Sequence, residues 1–249
     1  MNVKTVVILS GGDGKRLYPL TDYIPKFAIP VIDEPLLIKQ LKWIVPLGVE
    51  KVLLVINKKD KFWADKISKN VKEKFSFDLI IRLEQEKKGL VEALTNVEND
   101  IDENYFMMIF GDEYFNNPNF FTDVAEINKG SYIGAMSTDN LDDIKKGCNV
   151  VVNDEGRIIK LIEKPDDYDI KTSYYWNGIA VLNKSFFSEK STCSLSDTKN
   201  NITFINWLNK FIMKSEVNML IENGFNVNIN NLKDYEKCLS IELESRVTI

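Results

Sequence analysis

The 249-residue chain contains no histidine. A Ser-His-Asp triad, a Cys-His pair and imidazole metal ligands are therefore excluded, and any chemistry must run on carboxylates, amines, guanidinium groups and backbone. The three cysteines, Cys148, Cys193 and Cys238, are widely spaced and include no C-x-x-C pair, which argues for free thiols and against a zinc site or redox centre. No apolar run approaches the roughly 20 residues that a membrane span needs. A strand pattern begins within three residues of the amino terminus, so no signal peptide is expected there, and the protein is expected to be cytoplasmic with no membrane partner. Positive charge is also short: a net charge of −5 argues against a broad nucleic-acid surface, although local basic residues can hold a small phosphorylated ligand.

What is present is an ordinary globular composition, 44% hydrophobic and 28% charged, with enough chain for one sizeable core. The first half alternates between apolar strands (VKTVVIL, KVLLVI, DLIIRL, YFMMIF) and helical stretches. The helices fall at Pro35 to Leu47, with proline at the start, at Lys61 to Lys74, and just after Gly89. Strands that are apolar on both faces and separated by helices predict a mostly parallel central sheet covered on both sides, a doubly wound α/β core. After Gly130 the pattern becomes strand-rich, with a hairpin turning at NDEG, and predicts a smaller substrate-facing lobe. Ser185 to Asn201 reads as a loop; helices are expected at Ile202 to Met213, Ser215 to Asn223 and from about Lys233, with a short strand FNVNI before the last. The expected organisation is a single domain over 1–249, with 1–130 forming one half and 131–249 the other.

The stretch LSGGDGKRLYPLTDYIPK, Leu9 to Lys26, follows the first strand and sets Lys15 and Arg16 beside Gly11, Gly12 and Gly14. It is not a Walker A loop, because Lys15 is followed by Arg16 and no glycine stands five positions before Gly14. Nor is it a dinucleotide fingerprint, since the third glycine is missing. Glycines after a first strand let backbone N–H groups approach phosphates, and Arg16 offers a fork of donors. A polyanion site and a plain glycine-rich connection with two solvated cations both remain open on these residues. Pro19, Pro25 and Pro30 favour the former, because they fix an extended run that carries Lys26 back towards the strand ends, where open α/β sheets bind ligands.

The run from Leu9 to Leu37 resembles the opening signature of nucleotidyltransferases acting on sugar 1-phosphates, L-x-G-G-x-G-[TS]-R-L-x-P-L-T followed by P-K, P-V and P-L. The resemblance implies a Rossmann-like nucleotidyltransferase fold in which Leu9, Ser10, Gly11, Gly12, Gly14 and Lys15 line a nucleoside triphosphate site. Arg16 would bind the β- and γ-phosphates, and Lys26 would neutralise charge at the reacting phosphates. Lys15 departs from the usual Thr or Ser and adds charge.

Later segments follow the same order. EQEKKGLVEAL resembles the family's base-contacting segment, which implies Glu84 or Gln85 and Gly89 at the nucleobase. A carboxylate after a buried strand and a glycine stands at the ligand end of the sheet. By resemblance Asp112, after Gly111, holds Mg²⁺; Glu113 beside it could instead hold metal or substrate, but an acid in such a turn is more often solvated. In GRIIKLIEKPDD, Glu163 would accept hydrogen bonds from acceptor hydroxyls and Lys164 would meet the acceptor phosphate. In YYWNGIAVLN, Asn177 and Gly178 are acceptor-site candidates, with Tyr175 and Trp176 either core or pocket wall. NINNLKD stands where the family has D-[IV]-[GN]-T-P-E-D, so Asn228 replaces the second metal-binding aspartate, and Asp234 reads as a helix-start residue.

The resemblance implies Mg²⁺-dependent transfer of a nucleotidyl group from a nucleoside triphosphate to a sugar 1-phosphate, of the kind that supplies nucleotide sugars for cell-surface polysaccharide. No appended acetyltransferase module is expected, and self-association as a homodimer is an open expectation. A cytidylyltransferase acting on a non-sugar phosphate or phosphonate, and a non-catalytic nucleotide-binding protein, are the alternatives.

Overall fold

A computed structural model describes residues 3–84, 89–127, 129–192 and 200–247. β1 (Thr5–Leu9) leads through a loop and α1 (Leu20–Tyr23) into the small ribbon β2 (Pro30–Val31) and β3 (Glu34–Pro35), then α2 (Leu36–Ile44), β4 (Lys51–Asn57), α3 (Lys61–Lys74) and β5 (Asp78–Glu84). Next come α4 (Leu90–Thr95), β6 (Tyr105–Phe110), β7 (Glu113–Asn116), α5 (Phe120–Glu126), β8 (Ser131–Ser137), α6 (Leu141–Lys146), β9 (Cys148–Val152) and β10 (Ile158–Glu163). β11 (Tyr174–Asn183), α7 (Asn200–Lys214), β12 (Val217–Ile221), β13 (Phe225–Asn228) and α8 (Leu232–Val247) complete the chain.

β5, β4, β1 and β6 are parallel neighbours; β11 then pairs antiparallel with β6 and with β8, and β12 adds parallel to β8. The β9–β10 hairpin branches from the amino-terminal half of β11, giving the smaller lobe. Alternate residues of the parallel strands serve opposite cores, as a period of two requires. Val7, Leu53 and Met108 face the side of α4 and α7, whereas Val6, Ile8, Leu54 and Ile109 face α2, α3 and α5. Two-sided burial of this kind explains the uninterrupted apolar runs, and the expected doubly wound architecture is the one observed.

Two expected elements differ. Ser215 to Asn223 forms a strand rather than a helix: Val217 and Met219 join one core and Leu220 the other, so pairing with the open edge of β8 overrides any helical tendency. The expected loop from Ser185 begins instead as a 3₁₀ run, Lys184–Thr192, because Phe186 and Phe187 are buried and Phe186 stacks on Trp207 at 3.9 Å. Residues 193–199 lie outside the described residues, and α7 already begins at Asn200.

Candidate active site

The loop after β1 leaves the sheet at the carboxyl ends of the parallel strands. Ser10 N–H donates to Val55 O, Gly111 N–H to Leu9 O, and Asn57 Nδ2 to Gly11 O, so the turns after β1, β4 and β6 are laced together. Gly14 has φ +64°, a left-handed conformation that favours glycine. Its carbonyl accepts from Leu17 N–H and Thr21 Oγ1, closing the 3₁₀ turn Lys15–Leu17. Leu17 is buried in a third core with Ile29, Leu36, Tyr114 and Val227, which leaves Lys15 and Arg16 exposed at the mouth of the loop. Lys59 pairs with Asp13 at 3.1 Å across the same mouth.

Lys26 sits in the turn Lys26–Ala28, held by Pro25 before it and by buried Phe27 after it. Its Nζ lies 2.8 Å from Asp112 Oδ2 and donates at 3.0 Å to Asn230 Oδ1, which also accepts from Arg16 Nη2 at 2.8 Å. Asp112 follows β6 and Gly111, and its side chain is 27% exposed. β13 pairs with β7 so that Asn228 stands opposite Glu113, and Ile229 N–H donates to Asp112 O. The carboxyl-terminal segment thereby brings Asn228 and Asn230 to the aspartate. Asn228 Nδ2 donates to Glu113 Oε1 at 2.6 Å, and Asn228 Oδ1 accepts from Asn230 Nδ2.

Arg16, Lys26, Asp112 and Asn228 are thus brought into one hydrogen-bonded cluster. Glu163 ends β10 on the hairpin lobe, outside that cluster, and Lys164 follows it; Lys164 is exposed, has φ +45°, and its Nζ stands 3.8 Å from Glu163 Oε1. Asn177 and Gly178 occupy an irregularity in β11 between Trp176 and Ala180. Asn177 is 1% exposed and accepts Ile179 N–H on its own Oδ1, while Gly178 lies against Glu113. Trp176 belongs to the core, stacked on Phe204 and donating Nε1–H to Ile179 O. Burial pushes the Tyr175 hydroxyl up to about 12, with further contributions from the charges of Asp143 and Glu113. Glu84 ends β5 with its carboxylate seated over Gly11, and Gly89, at φ +87°, opens α4; Gln85 lies outside the described residues.

Glu113 corrects an expectation. It is 2% exposed within β7 rather than solvated in a turn, because β13 covers it and Asn226 and Asn228 both donate to its oxygens. Burial, then the neighbouring charge of Asp112, pushes its carboxyl up to about 8. Asp234 is a helix-start residue as expected, its Oδ2 accepting N–H groups of Asn230 and Asn231 while Asn231 Oδ1 accepts from Lys233 and Asp234 N–H, a capping box. Asn230 was not singled out from the sequence. The signal was available in FNVNIN, where asparagines at every second position of a strand share one face.

Among the described residues the cluster offers a hard cation a single carboxylate, one of whose oxygens Lys26 already engages. Asp112 is the partly exposed carboxylate, whereas the Asn228 amide oxygen is engaged with Asn230.

The chain resembles several characterised proteins. It is 32% identical over 164 residues to the UTP–glucose-1-phosphate uridylyltransferase AglF of Haloferax volcanii, covering 65% of each chain. It is 25% identical over 191 residues to a bifunctional sugar-1-phosphate nucleotidylyltransferase/acetyltransferase of Sulfurisphaera tokodaii, covering 76% of this chain and 43% of that one. The chain therefore spans less than two-thirds of the length of either relative. Among solved structures, a UDP-glucose pyrophosphorylase complexed with UDP-glucose superposes with a TM-score of 0.82 at 19% identity, covering 98% of this chain and 99% of that one. The UTP-bound UGPase of Acinetobacter baumannii gives 0.80 at 14% identity, covering 96% and 93%. These structural likenesses carry the fold. The family profile described as nucleotidyl transferase matches residues 5–225, which include the glycine loop, Lys26, Asp112 and the bulge of β11, and the chain belongs to that family.

Proposed function

We propose that the protein transfers a nucleotidyl group from a nucleoside triphosphate to a sugar 1-phosphate, releasing pyrophosphate. The observation that carries this reading is the convergence of Arg16, Lys26 and Asp112 beside the glycine loop at the carboxyl edge of the sheet. An oxygen of the acceptor phosphate attacks the α-phosphorus; the new P–O bond forms as the α–β bridge breaks, and the electron pair leaves on the pyrophosphate. A phosphate monoester has a second pKa of about 6 and is already ionised near neutral pH, so no general base is required and the absence of histidine fits. The work left for the protein is alignment and charge neutralisation.

Arg16 and Lys26 carry that neutralisation, the glycine loop offers backbone N–H groups to the phosphates, and Lys164, exposed on the hairpin lobe, is the cation for the acceptor phosphate. Asp112 would hold Mg²⁺ against phosphate oxygens. Bound there, Mg²⁺ supplies charge neutralisation at the reacting phosphates. The named activities of AglF and of the Sulfurisphaera protein support a sugar 1-phosphate acceptor. Nucleotide-sugar supply for cell-surface polysaccharide, a cytoplasmic location and a homodimer belong to the same reading. The engaged amide oxygen of Asn228 favours a second reading, a nucleotide- or sugar-phosphate-binding protein without turnover.

The test is pyrophosphate release with Mg²⁺, crossing five nucleoside triphosphates with sugar 1-phosphates and with small phosphate and phosphonate acceptors. Release with one sugar 1-phosphate pair is expected. Release only with a non-sugar acceptor would replace the acceptor class with the cytidylyltransferase alternative. Silence across the panel, from folded protein whose melting temperature rises with Mg·NTP, would replace transfer with binding.

A further inference from the structure

Gln40 lies in the middle of α2, on the face turned to the sheet, and is 1% exposed. Its Nε2 donates to two backbone carbonyls, Phe110 O at 2.9 Å and Glu113 O at 2.8 Å. Those two carbonyls bracket the Gly111–Asp112 turn, the last on β6 before it and the first on β7 after it. A single amide group therefore uses both its N–H bonds to fix the distance between the limbs of the turn that carries Asp112. Its Oε1 is buried without a partner, which is the polarity a side chain adopts when donation, not acceptance, holds it there. α2 cannot retreat easily, since Leu36, Leu37, Leu41 and Ile44 around Gln40 are fully buried.

Ser10 also packs against the turn: a Cβ built on Gly111 would fall 1.8 Å from Ser10 Oγ, so the glycine loop as well as α2 abuts it. Lys26 contacts Asp112 itself.

We propose that Gln40 is a positioning residue: by pinning the limbs of the Gly111–Asp112 turn, it sets where the Asp112 carboxylate stands relative to Lys26. It touches no reacting atom. Its functional consequence rests on the transfer reaction proposed above; its geometric consequence does not.

The experiment compares Gln40→Leu, Gln40→Glu and Val71→Ala with the wild type. Val71 is buried on α3 within the core and belongs to no part of the site, so it controls for loss of stability alone. Thermal melts, kcat and KM for pyrophosphate release, and crystal structures of the folded variants are measured. Losing the two donors is expected to lower kcat by about 10- to 100-fold, the scale of a displacement near 1 Å at a reacting centre. The KM for the triphosphate should change by less than about threefold, because the glycine loop is untouched. Val71→Ala should keep kcat within about twofold at a comparable drop in melting temperature. In the Gln40 variants the Lys26–Asp112 contact should open beyond 4 Å.

Unchanged kcat in Gln40→Leu, or an equal loss in Val71→Ala, would overturn the proposal. If the wild type itself releases no pyrophosphate, that result counts against the transfer reaction. The crystal structures then decide the positioning role, which an unmoved Asp112 would overturn. Gln40→Glu keeps the length of the side chain and, protonated in so buried a place, offers one donor where the amide offers two, so it carries the same comparison should Gln40→Leu fail to fold.

Discussion

Gly178→Ala probes how tightly β11 packs against the aspartate's neighbour. Gly178 has φ +84°, and a Cβ there would stand 2.6 Å from Glu113 Cγ and 2.8 Å from its Oε1. Glu113 cannot swing away, because it is buried and held by Asn226 and Asn228. The left-handed backbone costs an alanine about 1–2 kcal/mol, and forcing a methyl into a filled site costs about 1–3 kcal/mol more. A total of about 2–5 kcal/mol lowers the melting temperature by roughly 4–20 °C for a chain of this size, at about 2–4 °C per kcal/mol. Two other glycines isolate the components. Gly156 has φ +77° with nothing within 4 Å of a built Cβ, so Gly156→Ala bears the backbone cost alone. Gly12 also has open space and no positive φ in the strained range, so Gly12→Ala should melt like the wild type; on the proposed function it should instead raise the KM for the triphosphate, since its methyl stands in the glycine loop. The assay is differential scanning fluorimetry on all three, with guanidinium titrations to convert shifts to free energies. Equal melting temperatures for Gly178→Ala and Gly156→Ala would refute the crowding at Glu113.

Lys26→Ala and Asp112→Ala should each abolish measurable pyrophosphate release while circular dichroism stays that of the wild type; near-normal turnover in either removes that residue from the reaction. Above pH 8, where the Glu113 carboxyl is ionised, Asn228→Asp replaces the donor that faces it at 2.6 Å with an acceptor and should destabilise the fold by about 1–3 kcal/mol in chemical denaturation, so an unchanged midpoint there would contradict the hydrogen bonding described for Glu113. Acid stability reports the clamp between α2 and α8. Burial raises the Glu242 carboxyl, but hydrogen bonds from Lys39, Tyr114 and Arg246 outweigh it and hold the group below its usual value of 4.5. That stabilisation is complete above 4.5 and is lost as pH falls through the depressed folded value. Lys39→Met should therefore move the acid unfolding midpoint upward, and an unmoved midpoint would show that the pair contributes nothing.

The layers of the sheet were legible because their physics is local. Val6 to Leu9, Val52 to Ile56 and Phe106 to Ile109 are apolar at every position, which only a strand buried on both faces requires. The glycine loop was legible for the same reason, since Gly14 must take a backbone conformation that few other residues tolerate. What the sequence hid are the long-range pairings. β12 is a strand because β8 has an edge to fill, and Ser215 to Asn223 carries little that separates a short amphipathic helix from such a strand. Glu113 looked like a solvated acid because its cover, β13, lies more than a hundred residues away.

The asparagines are the instructive case. Read singly, Asn228 is a neutral residue where the resemblance of the sequence leads one to expect an aspartate. Placed in the fold, Asn228 and Asn230 form a relay of amides that runs from the buried carboxyl of Glu113 to exposed Arg16 and half-buried Lys26, while Asn226 caps the other oxygen of Glu113. Amides suit that path because each can donate at one end and accept at the other, whereas a carboxylate accepts at both. At Asn228, a carboxylate would set two acceptors against the ionised form of Glu113. At Asn230, a neutral oxygen lets two cations share one acceptor without a charge that would compete with an incoming phosphate. Asn228 is therefore coupled to Glu113, and Glu113→Gln combined with Asn228→Asp tests that coupling. If the two residues act as a hydrogen-bonded pair, the double variant should recover stability that Asn228→Asp loses; strictly additive free energies of unfolding would show that they do not.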